Sequence, residues 1–188
     1  MKRFYLIIAL VIVFFSSCKE EKKNKQEEEK RIFQIESVDE KSGLQRMQVS
    51  RIEQNIICRG KNFRLSVERI PDEKLPHVKS DMGVFVDNVI KVRITQESGK
   101  SLFEKTFTKN DFASYLPEKF LKSSVLEGLV FDDVRTEEKK EITLAASVSY
   151  PMTDLYVPFT LVVTQNGKLS ISKDEDIEEF KFLEENRE

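Results

Sequence analysis

Two consecutive stretches near the end of the chain constrain its fold most. From Ile142 to Tyr150, one face carries Ile142, Leu144, Ala146, Val148 and Tyr150, with Thr143, Ala145, Ser147 and Ser149 between them. After a break at Pro151 to Asp154 the pattern returns as Leu155, Val157, Phe159, Leu161 and Val163, the cleanest apolar face in the chain. A period of two belongs to a strand with one buried face, and a helix cannot bury such a set on one side. Asn166-Gly167 predicts a hairpin turn that returns Lys168 to Ser172 as a partner strand. Pro158 has no N–H to give to a ladder, so it predicts an edge or a bulge there. The last third reads as an antiparallel meander.

The middle of the chain repeats the pattern. Phe63, Leu65 and Val67 alternate with Arg64, Ser66 and Glu68, and Ile90, Val92 and Ile94 alternate with Lys91, Arg93 and Thr95. Pro71 and Pro76 bracket an irregular loop running to Gly83, where Gly83 to Val86 begins a new strand. Ser98-Gly99 predicts a tight turn into a partner strand, Ser101 to Phe107. Thr108 and Asp111 then have capping-box spacing, and Phe107 and Phe112 stand at the two positions of a hydrophobic staple. Together they predict a short helix from Lys109 to Leu116. Pro117 either breaks that helix or opens a second, for which Glu118 to Leu126 is the candidate stretch with Gly128 as its stop. Leu129 to Val134 reads as a strand and Thr136 to Lys140 as a charged turn. Ile32 to Glu53 fits neither period, and the acidic stretch Asp174 to Glu188 reads as a terminal helix or a tail. The fold class is α+β, mainly antiparallel β-sheet (meander or sandwich), with one or two short helices between Lys109 and Leu126. Either the sheet packs on the helices or a second sheet closes a sandwich.

The first residues concern placement rather than fold. Lys2 and Arg3 precede an unbroken apolar run, Phe4 to Phe15, followed by Ser16 and Ser17. That is the order of a secretory signal. About 12 residues at about 1.5 Å each reach about 18 Å, short of a hydrocarbon core of about 30 Å. Phe15-Ser16-Ser17-Cys18 resembles the lipobox of bacterial lipoproteins, with Phe at its first position. The resemblance implies a lipid on the Cys18 sulfur and cleavage just before it. An ordinary signal with an incidental cysteine is the plainer alternative. Lys19-Glu20-Glu21 resembles the signal that exports lipoproteins to the cell surface in Bacteroidetes, and a solvated tether is the alternative there. The expected organisation is a lipoprotein signal peptide at 1–17, a charged tether at 18–31 and a single mainly-β domain at 32–188. The expected location is the outer membrane, lipid-anchored through Cys18 and exposed at the cell surface.

Chemistry is sparse. The chain holds 31 basic and 33 acidic residues, mixed in sign, and loss of the leader's two cations makes it more acidic. That balance argues against a nucleic-acid partner. Of its two cysteines, acylation of Cys18 leaves Cys58 alone in an apolar setting, so no internal disulfide is expected and Cys58 reads as a small buried hydrophobe. His77 is the only histidine and lies in a loop with no nucleophile motif beside it. One histidine and one free cysteine do not make a zinc site. Asp132-Asp133 with Asp154 lacks any EF-hand spacing. No glycine-rich phosphate loop is present, and there is no tryptophan, although Tyr115, Tyr150 and Tyr156 remain for a carbohydrate face. No catalytic residue, metal ligand or cofactor is identified, and the ligand-binding residues stay unknown. The leading expectation is a non-catalytic envelope lipoprotein acting as a binding or accessory module, with the membrane and a protein of the envelope as partners. A small hydrolase acting on envelope or glycan substrates is the alternative, and a purely structural component is a third.

FTKNDFASYLPEKFLKSSVLEGLVFDDV and AASVSYPMTDLYVPFTLVVTQNGKLSI are similar to an uncharacterised family of Bacteroidetes lipoproteins, a domain of unknown function. The similarity runs from about Ile90 to Ile171 and includes the leader type. It implies origin and envelope location, and it brings no activity or functional residue with it.

Overall fold

The alternating stretches form strands, and their apolar faces meet. The computed structural model describes residues 35–174. In chain order the strands are β1 (Ile35–Val38), β2 (Leu44–Met47), β3 (Ser50–Cys58), β4 (Lys61–Pro71), β5 (Val78–Ser80) and β6 (Gly83–Phe85). They continue as β7 (Asn88–Gln96), β8 (Ser101–Phe107), β9 (Val125–Phe131), β10 (Ile142–Ser149), β11 (Tyr156–Val163) and β12 (Leu169–Lys173). A 3₁₀ helix, Lys109–Tyr115, and α1 (Glu118–Ser123) lie between β8 and β9, and α2 (Asp133–Lys139) joins β9 to β10.

Three four-stranded sheets result, in the orders β3-β4-β7-β8, β12-β11-β10-β9 and β1-β2-β6-β5. The first two bury their inner faces in one core. Leu65, Val92 and Ile94 come from one sheet and Leu144, Phe159 and Leu161 from the other. Burying a side chain of this size contributes roughly 1.5–3 kcal/mol. Phe112 enters the same core from the 3₁₀ helix, 4.6 Å from the Phe159 ring and 6.4 Å from the Phe107 ring between centroids. The sandwich alternative is therefore the one realised, with the helical segment covering its side. The third sheet has a smaller core of its own, Met47, Val78, Phe85 and Val125. The outer face of β3-β4-β7-β8 carries cross-strand ion pairs instead, Arg51–Glu68, Arg64–Glu53 and Arg93–Glu104.

Several expectations need correction. The second helix stops at Ser123, and Val125 and Leu126 already belong to β9. Burial on both sides explains the misreading: Leu126 faces the sandwich core and Val125 the smaller core, so the start of β9 has no polar face to reveal its period. Gly128 stops no helix and pairs with Ser147 inside the sheet. β9 ends at Phe131, and the expected charged turn belongs mostly to α2. Asp132 caps α2 by accepting from the Arg135 N–H at 2.8 Å, and the buried Thr136 hydroxyl accepts from the Thr143 N–H at 2.9 Å. The helix is fixed largely by those two contacts, which a local pattern does not carry. Pro158 lies in an interior strand in regular register with β10. Its missing donor costs nothing there, because β12 pairs only as far as Phe159 and the Asp174 N–H then reaches the Pro158 carbonyl at 3.1 Å. The loop from Pro71 to Gly83 contains β5, which pairs with β6.

Turn chemistry is also more specific than the dipeptides indicated. Asn166-Gly167 and Ser98-Gly99 each sit in a loop one residue longer than a two-residue hairpin. Gly167 donates to the Thr164 carbonyl and Thr164 to the Lys168 carbonyl, both at 2.9 Å, with Gly167 at φ 75°. That is a type I turn followed by a left-handed bulge residue. A Cβ on Gly167 would lie 2.4 Å from the Leu102 carbonyl oxygen, so close approach also demands glycine there. In the 3₁₀ cap, Asp111 Oδ2 accepts from the Thr108 N–H at 2.8 Å, while the Thr108 hydroxyl reaches the same oxygen only at 3.4 Å.

Candidate functional site

Where the sheets join, polar side chains are buried. Asp87, in the short link between β6 and β7, is 2% exposed. Its Oδ1 accepts from the Leu126 N–H at 3.0 Å and the Asn88 N–H at 2.8 Å, and Oδ2 lies 3.2 Å from Lys109 Nζ. Asn88 donates through Nδ2 to the Leu126 carbonyl at 2.9 Å. β9 is an edge of its sheet, so Leu126 would have two idle backbone groups there, and Asp87 and Asn88 satisfy both. Lys109 also donates to the Ser124 carbonyl at 2.7 Å. Burial pushes the Asp87 carboxyl above the usual range, against the pull of Lys109 and the two N–H donors.

A second buried group sits one step along β9. The register between β9 and β10 shifts between Ser147 and Val148, and Glu127 is the extra residue. Its side chain turns toward Ser147, Ser149 and Arg69, and burial raises its carboxyl, with the serines and Arg69 lowering it by less. Among the described residues, Ser149 Oγ meets no partner within hydrogen-bond geometry. Arg69, in β4, ties β9 and the link after β2 together, donating to the Glu127 carbonyl at 2.7 Å and the Gln48 carbonyl at 3.0 Å. These contacts go to backbone atoms, which marks the cluster first as a joint.

The opposite arrangement occurs at the hairpin end. The β3–β4, β7–β8 and β11–β12 turns surround an open groove of about 350 Å³. Asn62, Gln96, Ser98 and Gln165 line it beside Lys61, Glu97 and Phe63. Among the described residues, none of those four side chains makes a hydrogen bond within the chain. Amides and a hydroxyl offer donors and acceptors together, with one charge of each sign beside them, so the groove suits a ligand rich in hydrogen-bonding groups.

The residues singled out from the sequence scatter. Cys18, Lys19, Glu20 and Glu21 lie outside the described residues. His77 is exposed in the link before β5, and Asp154 is exposed in the β10–β11 turn. Asp132 is a helix cap. Tyr115 donates to the Ile171 carbonyl at 2.7 Å, and Tyr150 packs edge-on to Phe120, so neither forms a platform with Tyr156. Cys58 is a buried free thiol that burial pushes up. Among the described residues, no group of three or more His, Cys, Asp or Glu is placed to hold a metal, and no helix is long and apolar enough to cross a membrane.

A family model matches residues 28–171. The chain belongs to the family described as Domain of unknown function (DUF4738). Comparison with curated proteins finds no match. The matched region of this DUF4738 chain contains the joint, the groove and all three sheets but for the last two residues of β12. Sequence reasoning missed Asp87 and Glu127 because each is an isolated charge beside an apolar residue, and Lys109 because it stands in a polar helix start, Thr108 to Asp111, where a lysine looks solvated. The one available signal was Asp87-Asn88 at a strand start, ahead of an otherwise alternating run.

Proposed function

We propose that this DUF4738 chain is a non-catalytic, lipid-anchored module of a Bacteroidetes outer envelope that binds a partner through the groove at its hairpin end. One observation supports the reading: the buried Asp87 and the half-buried Lys109 and Arg69 are spent on backbone groups between strands, while unpartnered side chains gather in the open groove. A binding module needs polar groups that are free and accessible, and a catalytic site needs perturbed groups that a substrate can reach. In this reading Cys18 carries the lipid, residues 19–31 are the tether, and Lys19-Glu20-Glu21 directs the domain to the cell surface. The test is amide NMR of the soluble chain from Lys19, titrated separately with envelope glycan fragments and with envelope peptides. Shifts centred on Asn62, Gln96 and Gln165 are expected, and Gln96→Ala with Gln165→Ala should remove them. A groove silent to both sets sinks the reading.

Glu127 favours the runner-up, a small hydrolase. A carboxyl raised by burial, placed in a bulge beside two serines, has the character of a general acid. Turnover of a glycan or ester that disappears in Glu127→Gln would move the function to that cluster.

A further inference from the structure

β3 is an unfinished edge. It is the outer strand of its sheet, and its register with β4 runs from Ser50↔Arg69 to Cys58↔Lys61 without a shift. Natural edges of this length are usually blunted by proline, lysine, a bulge or a cover. Ser50 to Cys58 contains neither proline nor lysine. Arg59 and Gly60, at φ 50° and 70°, form a two-residue turn that closes on the Cys58–Lys61 pair. Bonding to β4 therefore alternates back from Cys58, and the N–H and C=O groups of Arg51, Glu53, Asn55 and Ile57 point off the sheet. Among the described residues they meet no backbone partner.

The side chains indicate which strand fits. We propose that β3 pairs antiparallel with β3 of a second copy of this chain, about a two-fold axis at Ile52. In that register Arg51 of each copy stands opposite Glu53 of the other, twice by symmetry. Ile52, 39% exposed on the strand's other face, meets Ile52 of the second copy. Both charged residues already form exposed pairs within the chain, Arg51 with Glu68 and Glu53 with Arg64. The new pairs extend that alternating ladder and bury no lone charge. Other centres fit worse. An axis at Arg51 or at Glu53 sets like charges opposite each other, which destabilises a pair. An axis at Gln54 sets Arg51 against Ile57 and gives no charge pair.

The test uses the full-length chain in the membranes of the cells that make it. In the proposed register, position 52 faces its own copy in a non-hydrogen-bonded pair, with Cα atoms about 4.5 Å apart, within disulfide range. Mild oxidation of Ile52→Cys should give a band at twice the monomer mass on a non-reducing gel. Ile57→Cys, which lies far from its own copy in this register, should give none, and the native Cys58 is buried. Adding Arg51→Glu or Glu53→Arg to Ile52→Cys should abolish the band. Co-expressing the two charge variants should restore it, because altered copies then face each other with opposite charges; recovery also rules out misfolding. Equal bands at 52 and 57, or loss that co-expression does not rescue, overturns the register. No crosslink at 52, or a crosslink only to a different protein, overturns pairing with a second copy.

Discussion

Asp87→Ala should loosen the joint between the sheets by about 4 kcal/mol. The substitution strips the acceptor from the Leu126 and Asn88 N–H groups and the counter-charge from Lys109, whose side chain is only 12% exposed. A buried donor left without a partner costs about 1–3 kcal/mol. Breaking a buried ion pair from one side costs about 3–5 kcal/mol. The terms overlap, because Lys109 keeps the Ser124 carbonyl and removal of Asp87 relieves the carboxylate's own desolvation. About 4 kcal/mol is a large part of the roughly 5–15 kcal/mol that holds a domain together. At about 2–4 °C per kcal/mol for this size, Tm should fall by about 8–16 °C. Asp87→Asn keeps an oxygen for Leu126 and should cost less than Asp87→Ala. Pairing Asp87→Asn with Lys109→Met removes both charges, and the double variant should be more stable than the two single losses sum to. The assay is urea unfolding of the soluble chain followed by circular dichroism, with a common m-value required for comparison. Asp87→Ala within about 1 kcal/mol of the parent would mean that water serves Leu126 equally well, and the joint would lose its energetic role.

Capping of the 3₁₀ helix should depend on Asp111 rather than Thr108: Asp111→Ala is expected to cost about 1–2 kcal/mol and Thr108→Ala clearly less, read from urea midpoints. Burial raises the Glu127 carboxyl in the folded state, so the folded chain holds a proton where the unfolded chain has released it. Stability therefore falls as pH rises from the ordinary glutamate range through the raised value, and Glu127→Gln should flatten that slope, leaving the like-signed part from Asp87. A parent slope of opposite sign would contradict the burial argument. A fatty-acid probe should label the parent chain and not Cys18→Ala. Protease added to intact cells should remove the domain, and replacing Lys19, Glu20 and Glu21 by Ala should protect it while labelling persists.

Some of the molecule was written in local pattern. β4, β7, β10 and β11 each turn one apolar face to the sandwich core, and a core on one side imposes a period of two on the apolar residues. The staple of Phe107 and Phe112 was legible for the same reason: its partners are five residues apart, and they touch in the core. Tertiary structure decided the rest. β9 starts between two cores, so its first residues are apolar on both sides and carry no period. α2 rests on Thr136 meeting Thr143 and on Arg135 reaching Thr160 and Asp174. The groove collects residues from three separate turns, and the joint unites Asp87, Lys109 and Leu126 from three separate segments. A side chain advertises burial on its own strand through spacing. Its partner on another strand depends on how sheets stack and shift register, as Glu127 shows, unpaired in the bulge of β9 and buried beside Arg69 and the serines of β10.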